Sequence, residues 1–104
     1  MMVTLEVETY DRRLGLDLTQ PSAEMPEGMS VQELESRAYK AVGVPETITL
    51  AVSVPLSVGA SLAANWLYDK LRGRADRIRI DRREITLDKG EITKILEEKL
   101  DIER

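Results

Sequence analysis

Val3, Leu5 and Val7 alternate with Thr4, Glu6 and Glu8, the period of two that marks a strand with one buried face. After the polar Tyr10-Asp11-Arg12-Arg13, the leucines of Leu14, Leu16 and Leu18 keep the same spacing. Residues 2–8 and 14–18 are therefore expected to pair as a β-hairpin. From Thr19 to Gly28 the segment TQPSAEMPEG has two prolines, a glycine and no period, and reads as a loop. Ser30-Val31-Gln32-Glu33 has the capping-box pattern, with Met29 and Leu34 placed as a hydrophobic staple. A helix over 31–42 follows, with Val31, Leu34, Ala38, Ala41 and Val42 on one face and Gly43 ending it.

The stretch from Thr47 to Tyr68 is the longest without a charged residue. Thr49, Ser53, Ser57, Ser61, Asn65 and Asp69 recur every fourth position, the spacing of a polar stripe on a helix. One helix over 46–71, bent at Pro55, is expected. A strand over 47–54 is the alternative, because Ile48, Leu50, Val52 and Val54 also alternate. Beyond Gly73, residues 77–80 and 85–87 alternate around Asp81-Arg82-Arg83-Glu84 and predict a second hairpin. Asp88 and Glu91 then cap a helix over 89–100 lined by Ile92, Ile95, Leu96 and Leu100. The tripeptide Asp-Arg-Arg stands at both expected hairpin turns, 11–13 and 81–83. The sum is an α+β domain over residues 1–104, a four-stranded antiparallel sheet packed by three helices.

Composition narrows the function more than the fold. A length of 104 residues suits one domain with one core. The absence of His and Cys removes histidine general bases, thiolate nucleophiles, disulfides and Cys/His zinc sites, and no phosphate-binding or nucleophile-elbow motif is present. A non-enzymatic chain is expected, without metal or cofactor. The N-terminus lacks the basic and apolar regions of a secretory signal, so cytoplasmic residence is the expectation.

Several features carry candidate chemistry. At about 1.5 Å per residue, residues 47–68 as one helix would reach roughly 30 Å, the thickness of the hydrocarbon layer. The alternatives are a core helix shared by both hairpins and a membrane-associated protein that inserts this segment. Its serines, threonines and Pro55 favour the core. Ser57, Gly59, Ala60, Ser61, Ala63 and Ala64 are small residues that let a helix approach closely, either in self-association or against a sheet. Arg72, Arg74, Arg77, Arg79, Arg82 and Arg83 form a candidate anion patch, since guanidinium groups hold phosphates bidentately. Interspersed Asp76, Asp81 and Glu84 and a net charge of −4 disfavour nucleic acid and favour an ion-paired strand face. Asn65, Trp66, Tyr68 and Asp69 form the polar and aromatic group adjoining the core, a candidate interaction site or a plain helix-end anchor.

The phrase Asn65-Trp66-Leu67-Tyr68-Asp69-Lys70-Leu71, ending a helix of small residues and followed by a hairpin and a short helix, resembles the ending of small uncharacterised bacterial proteins. These are similar to the effector-associated components of bacterial conflict and defence systems. The resemblance covers residues 56–100 and implies an accessory or adaptor role. The expectation is a protein-interaction module with a protein partner or self-association. Membrane association ranks second, and anion or nucleic-acid binding third.

Overall fold

A computed structural model describes residues 1–20, 24–37 and 43–103. The first alternating run forms β1 (Met2–Thr9), with Val3, Leu5, Val7 and Thr9 buried and the residues between them facing outward. It is followed by α1 (Leu14–Thr19), β2 (Ser30–Arg37), β3 (Glu46–Ser53), α2 (Gly59–Leu71), β4 (Ala75–Ile80), β5 (Arg83–Ile85) and α3 (Lys89–Glu103). The fold is α+β. The strands form one antiparallel sheet in the order β2-β3-β1-β4-β5, so the first strand of the chain is the middle one.

One face of the sheet supports the core. Ile48, Leu50 and Val52 of β3 and Ile78 and Ile80 of β4 join the β1 row, and all pack in one cluster with α1, α2 and α3. The opposite face carries Thr4, Glu6, Glu8, Thr47, Thr49, Arg77 and Arg79, alternate residues of the same strands.

Residues 14–18 are helix and not the second strand of a hairpin. The spacing of Leu14, Leu16 and Leu18 satisfies a strand on one face and also places Leu14 and Leu18 one helical turn apart. Those two are fully buried whereas Leu16 is exposed, the helical outcome. Asp11 sets the turn, since its carboxylate accepts the Arg13 N–H and its carbonyl accepts the Leu14 N–H. Gly15 lets α1 lie on β3, because an added Cβ would come within 3.2 Å of Ile48 Cδ1.

Residues 30–37 are strand and not helix. The capping-box residues are used as a ladder, with Val31 opposite Val52 and Gln32 opposite Ala51. Glu33 and Leu34 are exposed, and the register shifts between Glu33 and Glu35, a bulge in an edge strand. Pairing with the apolar β3 outweighs the helical preference of Gln-Glu-Leu-Glu. Ala38, Ala41 and Val42 of the expected helix face lie outside the described residues.

The uncharged stretch is divided. Its first third is β3, the alternative reading, with Ile48, Leu50 and Val52 inward and Thr47, Thr49 and Ser53 outward. Pro55 does not bend a helix; its carbonyl accepts the Val58 and Gly59 N–H groups in the turn that opens α2. The single helix over 46–71 is therefore replaced by a strand and the shorter α2. Among the described residues no helix is long and apolar enough to cross a membrane.

The second hairpin forms, but its second strand β5 is 83–85 and not 85–87, because the turn takes two residues and leaves Arg83 and Glu84 in the ladder and Thr86 and Leu87 beyond it. Its turn is Asp81-Arg82, both at positive φ (49° and 70°), the geometry of a two-residue hairpin turn matched to strand twist. Asp88 accepts the Glu91 N–H at 3.1 Å and starts α3, which runs through Glu103.

Candidate interaction cleft

Helix α2 buries Ala60, Ala63, Ala64, Leu67 and Leu71, one stripe at helical spacing. These small side chains set its distance from the sheet and from α3. The two helices run antiparallel: Lys89 Nζ at the start of α3 sits 5.3 Å from the Tyr68 ring centroid late in α2, while Leu100 near the end of α3 meets the start of α2.

Where the start of α2 meets the end of α3, an open cleft of about 410 Å³ is lined by Leu56, Val58, Ala60, Leu100, Glu97 and Asp101, with Gly59 and Ser61 on its α2 side. Gly59 opens α2 with φ +78°, a conformation that L side chains rarely adopt. Leu56 at this cleft is 65% exposed, and Ile102, one residue beyond Asp101, is 79% exposed. Leu62, next to Ser61, is also exposed.

The electrostatics of the cleft follow from its two helix ends. The first turn of α2 has no acidic residue and no capping side chain, so its N-terminal pole lacks a local counter-charge. Glu97 and Asp101 supply negative charge there from α3, one turn apart on the same helix. The last turn of α3 carries no basic residue to offset them. Among the described residues neither Glu97 nor Asp101 has an ion pair, whereas the neighbouring Glu98 is 3.3 Å from Arg83 and Lys99 is 2.6 Å from Asp81.

The group Asn65, Trp66, Tyr68 and Asp69 is not brought together. Asn65 and Asp69 point to solvent, Tyr68 is half-buried beneath Lys89, and Trp66 is 5% exposed within the core. The buried Trp66 Nε1 donor has no hydrogen-bond partner among the described residues. Of the small-residue stripe, Ala60, Ala63 and Ala64 are buried inside the chain's own core, Gly59 is half-buried, and Ser57 and Ser61 are exposed.

The arginines are mostly occupied by carboxylates. Arg79 lies opposite Glu6 at 4.0 Å, Arg77 is 3.9 Å from Glu84, and Arg83 reaches Glu98. Arg72 and Arg82 are exposed. Arg74 is built into the fold: its Nε donates to Asp11 and its terminal nitrogen donates to Asp17, both at 2.6 Å. The Arg74 bond, followed by the Arg13 N–H, holds the Asp11 carboxyl below its usual range. The carboxylates in turn raise the pKa of the Arg74 guanidinium. Burial pulls Asp81 upward, but the Lys99 ammonium and the Thr4 N–H outweigh it and leave Asp81 lowered.

On the outer sheet face, two depressions of about 230 and 200 Å³ share Glu6 and Thr47. One is bordered by Glu35 and Arg37 and the other by Glu8, Arg77 and Arg79. Charges of both signs alternate there. Among the described residues no three carboxylates converge to hold a metal ion.

Sequence reasoning did not find the cleft. Its residues come from the turn after β3, the start of α2 and the end of α3; Gly59, Ala60 and Ser61 stood in the small-residue stripe, but no sequence signal joined them to Glu97, Leu100 and Asp101. No family model, curated protein or solved structure matches the chain.

Proposed function

We propose that the chain is a protein-interaction module that acts as an adaptor, with the cleft between α2 and α3 as its docking surface. The observation that carries this is Leu56, a large apolar side chain left mostly exposed at a concavity whose floor is Val58, Ala60 and Leu100. Exposed apolar surface around a concave floor favours association with another protein. The sheet edges are poorer sites. β2 is an eight-residue edge guarded by its bulge and by exposed Glu33 and Glu35, and β5 has three residues.

An accessory role beside bacterial conflict systems is the specific form of this proposal, drawn from the resemblance of residues 56–100. Anion binding keeps support only from Arg72 and Arg82, since the other four arginines face carboxylates. A helical membrane insertion has lost the continuous helix that it required.

The test is affinity recovery from the native cell with the wild-type chain and with Leu56→Asp, both verified as folded by circular dichroism. A protein recovered with the wild type and lost with the variant supports the docking surface. Equal recovery with both would sink it, and recovery of the chain only from detergent-solubilised membranes would return the membrane alternative.

A further inference from the structure

We propose that the cleft takes a basic amphipathic segment of a partner protein, with its apolar side chains on Leu56, Val58, Ala60 and Leu100 and its Lys or Arg side chains against Glu97 and Asp101. This deepens the docking proposal and rests on it. The occupant follows from charge and shape. The floor side chains Val58, Ala60 and Leu100 are apolar but nearly covered, so the contact for an apolar anchor is chiefly the exposed Leu56. The rim is anionic and, among the described residues, unpaired, while other α3 residues are spent on internal pairs with Arg83 and Asp81. The negative C-terminal pole of α3 and the positive N-terminal pole of α2 both face the cleft and offset each other, so the surplus negative charge is that of the Glu97 and Asp101 carboxylates.

An acidic segment or a nucleic acid would meet like charge there, on a chain whose net charge is already −4. A cationic segment loses less on docking, because Glu97 and Asp101 have no ion pair among the described residues to break. The open form of the cleft suits side chains projecting from one face of a helix, the spacing by which amphipathic helices enter grooves. A fully enclosed small molecule fits less well. Arginine and lysine heads at the rim stay partly hydrated while their stems cover Leu56, so the pairing sets orientation and rate of encounter as well as affinity.

The probe is a short synthetic peptide of Leu and Lys with the leucines at helical spacing, titrated into the intact ¹⁵N-labelled chain. Shifts are expected at Leu56, Gly59, Ser61, Glu97 and Asp101, with the outer sheet face unmoved. Glu97→Gln with Asp101→Asn should weaken binding by about tenfold, and the peptide with Glu in place of Lys should not bind. Glu6→Gln with Glu8→Gln removes the same charge from the opposite face and should leave affinity unchanged.

Equal weakening by the two pairs, or shifts centred on the outer face, would overturn the proposal by reducing it to general electrostatics. Concentration-dependent self-association with shifts at the cleft would overturn it in favour of a second copy. If Leu56-dependent recovery of a partner succeeds while the peptide fails to bind, the basic-segment proposal falls and the docking surface stands. Failure of both removes both.

Discussion

Arg74 Nε donates to the Asp11 carboxylate at 2.6 Å, joining the turn between β1 and α1 to the link between α2 and β4. The same guanidinium holds Asp17 on α1, and the backbone carbonyl of Arg74 accepts the hydroxyl of Thr9, the one polar residue buried in the core among those described. One side chain thus fixes where α1 sits on the sheet. Arg74→Met should lower stability by about 1–2 kcal/mol, since the two charge-assisted bonds are partly screened by solvent. Arg74→Lys should recover little of it, because an ammonium cannot span both carboxylates with the geometry of the planar fork. Urea denaturation of the three proteins measures this.

Acid should loosen the fold at the same points. Asp11 and Asp81 both have carboxyl groups held below the usual carboxylate range in the folded chain. Their contribution is full above the unfolded carboxyl range, near pH 4, and is lost as pH falls through the lowered folded values. The urea midpoint is expected to be flat with respect to these two groups above about pH 5 and to fall below about pH 4. Asp81→Asn should flatten part of that fall. Unchanged steepness would remove Asp81 from the account.

Trp66 gives an inverted expectation. Its buried indole N–H has no acceptor among the described residues, and an unmet donor costs about 1–3 kcal/mol. Trp66→Phe loses volume but also removes that donor, so it should change stability by less than about 1 kcal/mol, whereas Trp66→Ala should cost about 3–5 kcal/mol. Thermal and urea unfolding compare them. A large loss with Phe would mean that the indole nitrogen finds an acceptor in solution.

Leu56 and Leu67 should separate surface from core. Leu67 is 1% exposed and its truncation to Ala should cost about 2–5 kcal/mol. Leu56→Ser should stay within about 0.5 kcal/mol, because most of the side chain already meets water. A loss for Leu56→Ser as large as for Leu67→Ala would make Leu56 a structural residue and weaken its assignment to docking.

The α+β class, the inward faces of β1 and β4 and the capped start of α3 were legible because each has a periodicity that fits a single element. Leu14, Leu16 and Leu18 were not, since three residues spaced by two also put the outer pair one helical turn apart, and only the turn chemistry of Asp11 decides between them. Asp-Arg-Arg shows the same limit. At 11–13 it leads into α1, and at 81–83 its first two residues make the β-turn. Ser30-Val31-Gln32-Glu33 had the local preference of a helix, but β3 had an open edge to fill, a demand that no window of the sequence displays. The cleft was illegible for a related reason: Leu56 and Asp101 meet only after α2 and α3 have packed.

The middle position of β1 has a consequence for how the chain is made. Its two neighbours, β3 and β4, are both synthesised after it, and the Thr4 N–H finds its acceptor only in the Asp81 carboxylate. A nascent chain that has emerged only as far as α2 therefore presents the central strand with one edge bare and its leucine and valines covered by only part of the final core. Non-local pairing of this kind slows folding and exposes strand edges while it waits. β4 is thus the segment whose arrival covers the second edge of β1 and makes it an interior strand.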